Sequence, residues 1–277
     1  MVNFKRILFP VEFTPQCKIA ARYVASFARH FDAEVRLLHV EMLPFEPYVW
    51  EPQTDRLNQM LDQFLVDEFA RVKVQRHVAI GDPAQEIVRY ANNEKVDLIM
   101  MPTHGRGPFR RFVLGSVTAK VLHDTPCPVW TSAHLDIERP PAPSNLTNVL
   151  CAVDLDDTGF HTLRYAGNFT RRIGARLTIA HAVPAVETRP ETYMDAELRA
   201  DLIEAARRRL AEMKELADCE AVVCVGSGDI ARFVSHAAQS HNAGLVIIGR
   251  GGNGLLGRLR THDYAIIRHC ECPVLSL

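Results

Sequence analysis

With 277 residues, 47% of them hydrophobic and 23% charged, the chain is long enough for two domains of ordinary size, each with its own core. A formal net charge of −1 excludes a global basic field of the kind that gathers nucleic acid or an anionic membrane. Seven scattered cysteines, an odd number, do not make a disulfide framework.

The N-terminus, MVNFKRILFPVEF, carries an apolar run of about five residues, and no later stretch approaches the roughly 20 that a membrane helix needs. No membrane insertion is expected, and the cytoplasm is the expected compartment. From there, short apolar runs (RILFPV, EVRLLHV, VKVQRHVAI, DLIMM, PVWTS) alternate with helical patterns. In the first helix Ile19, Tyr23, Val24 and Phe27 fall at helical spacing, behind Thr14 as N-cap and Pro15 at the first helical position. Continuous apolar strands separated by helices predict a parallel sheet covered on both faces, an α/β fold. Such sheets bind ligands beyond the carboxyl ends of their strands. Here those ends are Val11-Glu12, His39-Val40 and Met101-Pro102. Trp50, in EMLPFEPYVWEP, either closes over that edge or anchors on the domain surface.

The run DLIMM feeds into MPTHGRGPFRRFVLGS, residues 101–116. Arg106, Arg110 and Arg111 form the basic cluster beside this glycine loop, which suits a local anion site better than a duplex-binding face. Ser116 opens a helix whose first N–H groups have no partner inside it and whose dipole favours an anion. Gly105 and Gly115 admit close backbone approach, and His104 and the arginines add charge-assisted donors. On the loop alone, anion binding and a structural turn both stand.

The stretch ERPPAPSNLT, with three prolines, reads as a linker. It separates a first domain at 1–137 from a second at 147–277, with 138–146 between them. The second domain repeats the first. NVLCAVDLDD parallels RILFPVEFTP, placing Asp154 over Glu12 at an offset of 142, which also aligns Tyr165 with Tyr23, Phe169 with Phe27 and His181 with His39. GLVIIGRGG parallels DLIMMPTHG at an offset of 147, and CPVLSL parallels CPVWTS at 145. Asp156 takes the capping part in the second copy. The two histidines at the strand-two ends read as groups that satisfy backbone atoms rather than paired catalytic bases. EAARRRLAEMKE, 204–215, reads as a solvated helix face. HCECP, 269–273, reads as buried thiols on a strand rather than a metal or redox centre, since no second cysteine pair matches it. GRGGNG, 249–254, fits a dinucleotide fingerprint but follows the fourth strand instead of the first, and no Walker lysine pattern occurs.

The strand-one acid, GDP, THG and GS-CPV together resemble the universal stress protein family. Its nucleotide-binding branch carries G-x2-G-x9-G-[S/T] after the fourth strand. Gly105 and Gly115-Ser116 match the second and third landmarks, and Pro102 stands in place of the first glycine. The resemblance covers both halves. It implies two tandem Rossmann-like domains of the adenine nucleotide alpha hydrolase-like type, each a five-stranded parallel sheet flanked by helices. It further implies an ATP site at Val11, Glu12, Val40, Met101, His104, Gly105, Gly115, Ser116 and Val117. In the second half a degenerate site falls on Asp154, Gly249, Gly252, Arg260 and Thr261, with Arg260 where the first half has Gly115. The family's fifth strand pairs subunits edge to edge. PVWTS and PVLSL are therefore expected to pair within the chain, with a homodimer of chains also open.

The leading expectation is a stress-response protein that binds ATP, ADP or AMP, chiefly in the first domain, and acts by binding rather than turnover. The alternative is a nucleotide-independent interaction protein whose domains form an internal pseudo-dimer. Slow ATP hydrolysis is a third reading, requiring phosphate release that disappears on altering Ser116 or His104.

Overall fold

A computed structural model describes residues 2–42, 54–103, 114–132, 146–183, 194–251 and 261–277, with backbone alone at 132, 194, 195 and 261. The chain divides into two compact units, one from Asn3 to Pro143 and one holding Ser144–Leu277. The first runs β1 (Arg6–Pro10), α1 (Pro15–Phe31), β2 (Glu34–Glu41), α2 (Thr54–Gln63), β3 (Val74–Ile80), α3 (Pro83–Asn93), β4 (Leu98–Pro102), α4 (Ser116–Asp124) and β5 (Val129–Ser132). Its strands lie in the order β3-β2-β1-β4-β5, all parallel, so the order reverses between β1 and β4. The second runs β6 (Asn148–Ala152), α5 (Asp157–Ile173), β7 (Arg176–Val183), α6 (Met194–Leu216), β8 (Ala221–Ser227), α7 (Ile230–Ser240), β9 (Leu245–Ile248), α8 (Thr261–His269) and β10 (Val274–Ser276). Its order, β8-β7-β6-β9-β10, is the same winding, again parallel throughout.

The apolar runs form strands because both their faces are covered. Ile7, Leu8 and Phe9 of β1 and Leu98, Ile99 and Met100 of β4 are all fully buried. Helix α1 adds Ala20, Tyr23, Val24, Phe27 and Phe31 from one face, and Trp130 of β5 packs beside Tyr23 with ring centroids 5.3 Å apart. Helix α6 buries Ala206, Leu210 and Met213, and Ala217 just beyond its end is buried too, while Arg207, Arg208 and Arg209 stay exposed, as a solvated charged face requires.

Three local expectations meet a different outcome or a sharper one. Strand β1 ends at Pro10, one residue before Val11-Glu12, and Phe13 turns the chain through a left-handed φ of 56°. Thr14 occupies the N-cap of α1, but its hydroxyl donates to Cys17 Sγ at 3.3 Å and caps no backbone amide. The same sulfur also accepts the Glu12 N–H, at 3.4 Å. Asp156 does cap α5, accepting the Gly159 N–H at 2.8 Å. Asp156→Ala should therefore lower stability by about 1 kcal/mol and Thr14→Ala by less, a ranking that urea unfolding of the two variants would check.

Cys270 and Cys272 do not share a strand; they flank the turn between α8 and β10. Burial pushes the Cys272 thiol up to about 11 and also raises Cys270, as expected of packed thiols. All seven cysteines are free, and no helix among the described residues is long and apolar enough to cross a membrane. Trp50 and residues 138–145 of the linker lie outside the described residues.

Candidate functional site

The carboxyl ends of β1, β2 and β4 bring Val11, Val40 and Met101 to one edge of the first sheet. Val11 is buried and its N–H donates to the Leu38 carbonyl at 2.9 Å, extending the ladder one residue beyond β1. Glu12, next in the chain, is exposed. The Val11 carbonyl accepts Nδ1–H of His39 at 2.9 Å, and His39 Nε2 lies 3.5 Å from Glu41 Oε2. His181 repeats this on Val153, at 2.8 Å. Each strand-two histidine thus pins the residue before the strand-one acid, and neither meets a nucleophile there among the described contacts.

Helix α4 brings the second part of the site to the same edge. The Gly115 N–H donates to the Thr103 carbonyl at 2.9 Å, and the Thr118 hydroxyl donates to the Pro102 carbonyl at 3.3 Å. These two bonds hold the start of α4, Ser116-Val117-Thr118, against the end of β4. Pro102 lacks a donor yet serves as an acceptor, and its own place in β4 is paired with Ser132 of β5. The first turn of α4 carries no acidic residue, and Gly115 caps it with no side chain, so helix geometry leaves amides open at this end. From the far side Lys120 of α4 reaches Asp82 at 3.3 Å. The Gln85 amide, with help from Lys120, holds the Asp82 carboxyl below its ordinary range while it caps α3. His104 and Gly105, with the arginines 106, 110 and 111, lie outside the described residues.

In the second unit Asp154 and Gly249 meet at one cavity of about 60 Å³, lined also by Thr162, His181, His262 and Asp263. That is room for a few waters. Gly249 is required by close packing: a Cβ there would stand 2.3 Å from Thr162 Oγ1. In the first unit the equivalent pair is Pro102 and Ala20, a larger residue on the strand and a smaller one on the helix. Thr261 opens α8 as Ser116 opens α4, but the third residue of the helix changes from Thr118 to Asp263, which is buried. A carboxylate in the first turn opposes an anion at that helix end. Gly252 and Arg260 lie outside the described residues. Sequence reasoning did not single out Thr103, Thr118, Cys17 or Asp263; the offset of 145 that equates Ser116 with Thr261 would have exposed the Thr118–Asp263 exchange.

Two copies of a parallel, singly reversing α/β sheet, each with an acid after its first strand and a helix opened by a hydroxyl residue after its fourth, define a duplicated, doubly wound α/β protein. The Universal stress protein family matches residues 3–132 and 145–277, and the chain belongs to that family. A universal stress protein of Methanocaldococcus jannaschii is 31% identical over 137 residues, which are 46% of this chain and 80% of the relative. One of Archaeoglobus fulgidus shares the fold at a TM-score of 0.72 over 98% of this chain and 97% of that one, at 22% identity. A universal stress protein solved in complex with cAMP is similar over 47% of this chain and 97% of that one, at 16% identity and a TM-score of 0.39.

Proposed function

We propose that the first unit binds an adenine nucleotide (ATP, ADP or AMP) and that the protein acts in a stress response through binding rather than turnover. The observation that carries this reading is the start of α4. Its amides lie at the strand-order reversal, free of any acidic residue in the first turn and within the same sheet edge as Val11, Glu12 and Val40. In this reading the phosphates lie on Gly115, Ser116 and Val117 with His104 and Gly105, the ribose on Glu12, and the adenine against Val11, Val40 and Met101. The second unit, with Asp263 in the matching turn, is the weaker site or none, whatever Asp154, Gly249, Gly252, Arg260 and Thr261 add. Seven free thiols fit a reducing compartment, and the cytoplasm is the compartment proposed.

Titration calorimetry with ATP, ADP, AMP and cAMP tests this reading. Binding with a stoichiometry near one per chain is expected, and no heat at near-millimolar nucleotide would overturn it. Gly115→Arg, which copies the second half, should weaken binding at least about tenfold. A Cβ at 115 lies 3.1 Å from the Thr103 carbonyl and the side chain above it enters the place of the phosphate. Pro102 favours a second reading, nucleotide-independent interaction through the paired domains, because it removes one backbone donor from the phosphate loop. An unchanged melting temperature on adding ATP, with no nucleotide recovered from purified protein, would establish that alternative.

A further inference from the structure

Helix α6 leaves a second apolar face partly exposed among the described residues. Ala206, Leu210 and Met213 face the core, whereas Leu198 is 48% and Leu202 38% exposed. Leu198, Leu202, Ala205 and Arg209 follow one another at spacings of four, three and four, all exposed, as a coiled-coil seam does. This seam lies about a quarter-turn around the helix from the buried face. Asp201 and Arg208 flank the seam on the side away from the core. Neither has an ion-pair partner among the described residues, unlike Arg207, which faces Glu204 at 3.8 Å, and Arg209, which holds Glu212 at 2.9 Å.

We propose that this face docks a second copy of the chain, with the two α6 helices antiparallel about a two-fold axis passing between Ile203 and Glu204. The pairing is self-complementary. Leu202 packs on Ala205 of the second copy, Leu198 lies along the aliphatic stem of its Arg209, and Asp201 faces its Arg208. The two-fold repeats all three contacts and closes the assembly at two chains. Charge selects the direction as well as the partner: a parallel pairing would stack Arg209 on Arg209 inside the seam and leave Asp201 without a cation. The occupant is therefore another α6 rather than an unrelated apolar helix, which would leave the Asp201 and Arg208 charges unmatched. The interface is a single helix pair, small beside a standard one, so a reversible, concentration-dependent dimer is expected.

Sedimentation velocity of the full chain over a micromolar to submillimolar range tests this. A monomer–dimer equilibrium is expected. Leu202→Glu should raise its Kd by about tenfold or more. Asp201→Arg should do the same by setting two arginines against each other, and adding Arg208→Asp should return the Kd to near that of the unaltered chain. All three positions are solvent-exposed, so far-UV circular dichroism and melting of the charge variants should match the parent. If Leu202→Glu fails to fold, the charge reversal and its rescue decide alone. A chain that stays monomeric throughout overturns the proposal, as does a dimer whose Kd ignores Asp201→Arg.

Discussion

Gly159→Ala is expected to destabilise the second unit by about 3 kcal/mol or more, an unusually large effect for one added methyl. The Cβ would stand 1.8 Å from the Asp154 carbonyl oxygen. Relief requires the β6–α5 turn or the start of α5 to move, and both are held. The Val153 N–H bonds to Ala180, its carbonyl receives His181, and the Asp156 side chain caps the Gly159 amide. In the first unit the equivalent residue is Cys17, whose sulfur occupies the corresponding space and accepts the Glu12 N–H and the Thr14 hydroxyl. The two copies thus build the same turn differently, and the second has no room for a side chain. Urea unfolding followed by circular dichroism would measure the loss; a variant within about 0.5 kcal/mol of the parent would contradict it.

Trp130→Ala should cost the first unit about 3–5 kcal/mol. Trp130 is 1% exposed, the bulkiest fully buried side chain among the described residues, and lies against Tyr23 and Phe27 with ring centroids at 5.3 and 6.4 Å. Its equivalent in the second unit is Leu275, also buried, and the equivalents of Tyr23 and Phe27 are Tyr165 and Phe169. Trp130→Leu should therefore be the milder variant, since leucine fills that layer in the other copy. Denaturant midpoints for the pair check the order. Equal losses would mean that indole-specific contacts, rather than volume, dominate.

The element order was open to reading because each strand is an apolar run and each helix carries a 3.6-residue stripe, signals that are local. The duplication added a second witness, aligning Glu12 with Asp154 and His39 with His181 at the carboxyl ends of the first two strands of each copy. What escaped was tertiary. Nothing in the string TPQC tells that Thr14 turns to a sulfur, since that depends on where the β1–α1 turn places Cys17 and the Glu12 amide. The Cys-x-Cys alternation failed because α8 ends at His269 and β10 begins only at Val274, so no strand periodicity applies between them. Asp263 was missed for a different reason: a single acid in a helix is ordinary until it is seen buried beside the Asp154 cavity.

The histidine pins on Val11 and Val153 carry a consequence for how a ligand is met. In each unit the backbone just ahead of the strand-one acid is fixed from two sides, by an N–H into the neighbouring strand and by an imidazole on its carbonyl. The conformational freedom that a loose turn would surrender on meeting a ligand is surrendered during folding instead. Under the proposed nucleotide reading, recognition at the first unit's edge begins from a pre-ordered template, and losing the His39 imidazole should show as weaker nucleotide binding rather than as a missing contact.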